Sequence, residues 1–190
     1  MTAEPHVAVA SYPGGIRVRS AWGGSGDGPA IFALSEVGGE LVEHGALVST
    51  GYERMCRAEL RVETPAGPWA VRLAAPIFDE PSAFLWDEPG LLVVGYGFMT
   101  YGFAARTGEL RWSHRSHTPL VAIIGSARVG HVIVQAEIET FAIAADGEVL
   151  WRIAHSDVVA EAALVGGRLV LTSFSGQLST LDPRTGRPAA

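Results

Sequence analysis

The sequence predicts an all-β chain of short antiparallel strands set out as a repeat, and three observations predict it. Glycines recur in near-constant register along the chain. The apolar runs are short and bounded by Gly, Asp, Thr and Ser, the residues that make turns. Helical periodicity, which would put apolar residues at every third or fourth place, is hard to find anywhere.

The repeat is read from Gly28, Gly67, Gly108, Gly147 and Gly186, spaced 39, 41, 39 and 39 residues apart. Four places after each glycine stands an apolar residue: Phe32, Val71, Trp112, Trp151 and Ala190. Trp69 falls two places before that column, and Trp22 and Trp86 lie outside it. Within the fourth unit, Val121 to Ile124, His131 to Val134, Thr140 to Ala144 and Glu148 to Ile153 read as four strands. The inner runs are almost wholly apolar, as strands covered on both faces are. The last alternates, with Val149, Trp151 and Ile153 on one face and Glu148, Leu150 and Arg152 on the other, the pattern of a half-exposed outer strand. Asp146-Gly147 and Thr107-Gly108 mark the turns before the outer strands, where glycine accepts a positive φ.

Four strands per 39–41 residues, repeated, is the pattern of a β-propeller blade. Thr107-Gly108-Glu109-Leu110-Arg111-Trp112 and Leu181-Asp182-Pro183-Arg184-Thr185-Gly186 resemble the repeats of PQQ-like, quinoprotein-type propellers, over about residues 91–190. The expected fold is therefore a single all-β domain over 1–190. It is a small propeller of about five PQQ-like or WD40-like four-stranded blades, in a closed or open ring. Each repeating Trp is expected to pack against the neighbouring blade. The strand from His6 to Ala10 is expected to close the ring by pairing with the blade at the other end, giving a monomer or a strand-swapped dimer.

Composition narrows the function. Hydrophobic residues make up 48% and charged residues 18% of the chain, too apolar for a disordered one. No apolar stretch approaches the roughly 20 residues that cross a bilayer. The net charge of −6 argues against nucleic acid and favours a basic partner. All 14 basic residues are Arg, the mark of a GC-rich bacterial genome. The opening residues lack the basic and apolar regions of a secretory signal, and the lone Cys56 forms no internal disulfide, so the expected compartment is the cytoplasm.

Candidate chemistry is sparse. The resemblance implies neither quinone nor calcium here, because adjacent cysteines and an oxygen-ligand loop are missing from the sequence, and no cofactor is expected. Cys56 has Arg54 and Arg57 as basic neighbours but reads as an ordinary strand or loop cysteine. His114, His117 and His155 follow outer strands, and His-x-x-His is half of a zinc site; the other half is missing, so no metal is expected. Asp79-Glu80 and Asp87-Glu88 are paired acids of the glycosidase type, placed by the strand map at opposite ends of a blade. Residues 23–28 are glycine-rich without the lysine or the strand-to-helix setting of a phosphate loop.

The distributed feature is an acidic loop face. Crossings between blades and turns between second and third strands share one end of a propeller. Glu43, Asp79, Glu80, Glu137 and Asp157 fall there, with Glu36, Glu40, Glu53 and Glu139 nearby. The resulting reading is a non-enzymatic protein-binding scaffold that engages a basic macromolecular partner through this face. An inhibitor or immunity-type protein is one identity that fits. The alternative is a carbohydrate-directed enzyme or small-ligand binder with its site at the propeller axis.

Overall fold

The computed structural model describes residues 5–23, 41–45, 56–77, 79–126 and 128–189, without the side chains of 41–45. Its strands form four sheets. The first contains β1 (His6–Tyr12), β2 (Ile16–Gly23), β3 (Leu41–Gly45), β4 (Cys56–Glu63) and β5 (Trp69–Ala75) in the order β1-β2-β4-β5-β3. The second runs β6 (Ser82–Trp86), β7 (Leu91–Tyr96), β8 (Met99–Ala104), β9 (Leu110–Arg115). The third runs β10 (Leu120–Gly125), β11 (Val132–Ala136), β12 (Glu139–Ile143), β13 (Val149–Ala154). The fourth has β14 (Val159–Val165), β15 (Arg168–Ser173) and β16 (Leu178–Leu181), with a bridge from Leu181 to Pro188 where an outer strand begins. All pairings within the sheets are antiparallel except β3, which lies parallel to β5.

These are propeller blades, but among the described residues four sheets stand where the glycine count predicts about five. The reason is a pairing across sequence: β2 bonds to β4 over a seven-residue register from Arg17–Glu63 to Gly23–Arg57. The two strands before Gly28 and the two around Gly67 therefore build one sheet, not parts of two. Gly28 itself, with Glu36, Glu40 and Glu53, lies outside the described residues. The expected pairing of the His6 to Ala10 strand with the blade at the other end is corrected as well. β1 is the first strand of the first sheet, bonded to β2 along its whole length, and is not a strand of the last sheet.

Successive sheets bury one another's faces. Leu92 and Val94 of β7 join the cluster shared with the first sheet, while Leu91 and Val93 turn to the third. On β11, Val132 and Val134 face the second sheet and Ile133 the fourth. This alternation explains why both strands are apolar at every residue but Gln135 and the small Gly95 and Ala136.

The glycine and tryptophan columns are two halves of one contact. Gly108, Gly147 and Gly186 have φ of +74°, +92° and +69°. A Cβ on them would come within 2.6 Å of Trp69, Trp112 and Trp151, respectively. Each Trp on an outer strand thus lies flat against the last turn of the following sheet. Trp69 Nε1 donates to Ala105 O (3.0 Å) and Trp112 Nε1 to Ala145 O (3.1 Å). Trp69 reaches the slot from two places early because a strand returns to the same face every second residue. At the third contact the matching carbonyl, Pro183 O, accepts instead from His131 Nε2 at 2.8 Å, and the His131 ring meets Trp151 edge-on. Trp22, outside the column, is also buried, in the cluster between the first two sheets, stacked on His6.

Replacing Trp69, Trp112 or Trp151 by Ala should cost about 3–5 kcal/mol in denaturant melts, enough to unfold a domain of ordinary stability. Trp86, half-buried like Trp151 but packed against none of the turn glycines, should cost less. Equal and small losses at all four positions would remove the contact as the organiser of the stack.

Candidate functional site: the acidic rim

One end of the stack is built from the turns between second and third strands and from the segments that cross between sheets. The two are tied together by backbone bonds. Ser116 N donates to Phe98 O (2.9 Å) and Leu120 N to Gly97 O (2.8 Å). One sheet on, His155 N donates to Ile138 O (2.8 Å) and Val159 N to Glu137 O (2.6 Å). Each turn therefore holds the chain as it leaves for the next sheet.

A side chain caps the same turn from the other direction. The Asp79 carboxylate accepts from Gly97 N and Glu80 N, both at 2.8 Å. Thr118 Oγ1 accepts from Ile138 N at 3.2 Å. Asp157 accepts from Val158 N (2.8 Å) and from Ser175 Oγ (2.6 Å). These three positions are 39 residues apart, a second periodic column that the residue types hide, since one member is Thr. The two acids sit in different surroundings. Burial pushes the Asp79 carboxyl above its ordinary range, against the pull of the Gly97 and Glu80 amides. Asp157 is exposed, and the Ser175 and Ser173 hydroxyls with the Val158 amide hold it low.

Asp79, Glu80, Glu137 and Asp157 thus share one rim, in consecutive crossings and turns. Glu43 does not: it lies within strand β3, in register with Arg72 of β5, not in a loop. Asp87 and Glu88 occupy the β6–β7 turn at the opposite end, where Gly90 O accepts from Ala105 N. The two acidic doublets therefore do not face a common substrate, as a glycosidase pair must. The rim also carries apolar residues that sequence reasoning missed. Ile138, Val158 and Phe174 are exposed, Phe174 by 83%, and Phe174 N donates to Val158 O at 2.7 Å. Their signal was an apolar residue placed in a turn or crossing.

The histidines do not converge. His114 Nε2 donates to Gly147 O, at the glycine–tryptophan contact. His117 donates its backbone N–H to Glu139 Oε1 (2.6 Å), with Nδ1 3.0 Å from the same oxygen. Arg152 stands 3.4 Å from the other carboxylate oxygen. Burial works to raise the pKa of Glu139, but these partners outweigh it and hold the group below the usual range. His155 Nε2 meets Thr140 Oγ1 at 2.6 Å; that hydroxyl donates to Gln135 Oε1, so the imidazole is the donor. Among the described residues no three His, Cys, Asp or Glu side chains gather as a metal site would need. Cys56 is buried on β4.

A family model described as outer membrane protein assembly factor BamB matches residues 99–189. The crystal structure of BamB from Moraxella catarrhalis is similar at 24% identity and a TM-score of 0.46, over 57% of this chain and 35% of that one. A crystal structure of HIRA residues 644–1017 superposes with a TM-score of 0.51 at 13% identity, over 100% of this chain and 53% of that one. The computationally designed Ika8 protein gives 0.55 at 12% identity, over 97% and 60%. The chain thus spans between about a third and three fifths of these structures. No curated protein matches it by sequence. The described residues thus form four propeller-type sheets stacked through a glycine–tryptophan contact, and residues 99–189 match the PQQ-like repeat family of that assembly factor.

Proposed function

We propose that this protein is a non-enzymatic scaffold that binds a protein partner with a basic surface through the acidic rim. The observation that carries the reading is the composition of that rim: Ile138, Val158 and Phe174 exposed among Glu80, Glu137 and Asp157. Apolar side chains held out in water beside charges of one sign are the makings of an interface centre and its border. The backbone bonds that tie each turn to a crossing give the rim a fixed shape, so little order has to be imposed on binding. Similarity to a protein described as an assembly factor supports a role in protein interaction. An inhibitor or immunity-type protein for a basic domain is the identity we favour within this class, on the strength of the acidic rim and the charge of −6.

The test uses a partner captured on the immobilised protein at low salt. Asp79 and Asp157 shape their turns, so the charge is reversed at Glu80 and Glu137, whose side chains make none of the caps. Each exposed charge alone contributes roughly 0–1 kcal/mol, and single reversals should be nearly silent. E80K/E137K together should slow association at least tenfold, and added salt should weaken the wild-type complex far more than the mutant's. D87K/E88K, at the other end, should change neither. A complex indifferent to salt and to E80K/E137K would show the rim to be a solvated surface.

A further inference from the structure

The fourth sheet departs from its neighbours at one core position. On the second sheet Tyr101 pairs with Val94, and on the third Phe141 pairs with Val134. Both aromatic residues are almost wholly buried, at 2% and 0% exposed, filling the space against the preceding sheet. In the same register on the fourth sheet, Leu171 pairs with Ser179. Two places along the strand from Leu171 stands Ser173, where the second sheet has the buried Tyr96. On the third sheet Ala136 holds that second place, so it is Ser179 that stands where both preceding sheets have a ring, and the third and fourth sheets do not close on each other there.

The space left is a cleft of about 220 Å³, opening at the acidic rim. Its floor is apolar, with Leu171 and Val159 both buried. Its walls carry Ser173, Ser179 and Gln177, and Asp157 stands at its edge with His155 beside it. Burial lowers the pKa of His155, so at neutral pH its ring adds no positive charge. Phe174 and Val158, chain neighbours of the lining residues Ser173 and Asp157, are exposed. An apolar floor, hydroxyl and amide walls and one carboxylate form a site for a long side chain with an aliphatic stem and a cationic head.

We propose that this cleft receives an arginine or lysine side chain of the partner, its stem on Leu171 and Val159 and its charged head at Asp157, Gln177 and the two serines. The proposal rests on the reading of the rim as a protein-binding face and names the chemistry of its anchor. It gives a role to the loss, on the fourth sheet, of the ring that the second and third sheets carry. Such an anchor, part buried and charge-paired, is the type of contact on which binding energy concentrates.

The test is a titration of the full chain with N-acetyl-arginine amide, followed by backbone NMR, with the citrulline analogue as the uncharged isostere. Saturable shifts are expected at 155–159 and 171–179 with the arginine compound and not with citrulline. D157N should weaken the arginine response about tenfold. S179F restores the ring its neighbours carry, so it should fold at least as stably as wild type and lose the response. Equal binding of citrulline, an unchanged titration in S179F, or no saturable shift at all would each overturn the proposal. If the arginine response fails while E80K/E137K still slows partner association, the cleft alone is refuted and the rim reading stands.

Discussion

The structure hangs on a contact between the outer strand of one sheet and the last turn of the next. A glycine in left-handed conformation presents bare backbone, and a tryptophan from the preceding sheet lies across it. The contact needs both residues at once. Any Cβ on the turn would meet the indole, and any smaller side chain on the strand would leave the backbone face of the turn uncovered. Because it recurs at Trp69–Gly108, Trp112–Gly147 and Trp151–Gly186, it fixes the position of each sheet on the one before. The alternating apolar faces of β7 and β11 can then interdigitate.

That lock operates at one end of the stack, and it leaves the other end free for function. There the turns and crossings are tied by backbone bonds and by the caps Asp79, Thr118 and Asp157. Two of the acids that the sequence marks for binding are therefore first of all structural. Their charge remains on the rim, but their oxygens are engaged in shaping it. The same economy appears at Glu139, an acid in the right neighbourhood whose carboxylate is spent on His117 and Arg152. An acidic loop is thus a mixture of caps and free charges, and only hydrogen-bond geometry separates them.

Legibility in the sequence followed the length of the correlation that each feature needs. The Gly and Trp columns are periodic within single residues, so the repeat, the strand order within units and the all-β class could be read directly. The count of blades could not, because β2 and β4, far apart in the chain, pair within one sheet. Trp69 stands two places early in the sequence, but strand geometry returns it to the same face. The capping column escaped notice because Thr118 does the work of an aspartate by accepting through its hydroxyl. The cleft at Ser179 is an absence of side chain, visible only once Tyr101 and Phe141 are known to occupy the matching register.

The central claim, that tryptophan and turn glycine act as one unit, is tested most directly by a double-mutant cycle on Trp69 and Gly108 followed in denaturant melts. The G108A change introduces a Cβ at φ +74° and 2.6 Å from the indole ring of Trp69, so it should destabilise wild type strongly. In the W69A background the collision is gone and only the backbone strain remains, about 1–2 kcal/mol. The account predicts that G108A costs clearly less there than in wild type, a coupling of at least about 1 kcal/mol. Additive losses, with G108A costing the same whether or not the indole is present, would contradict it.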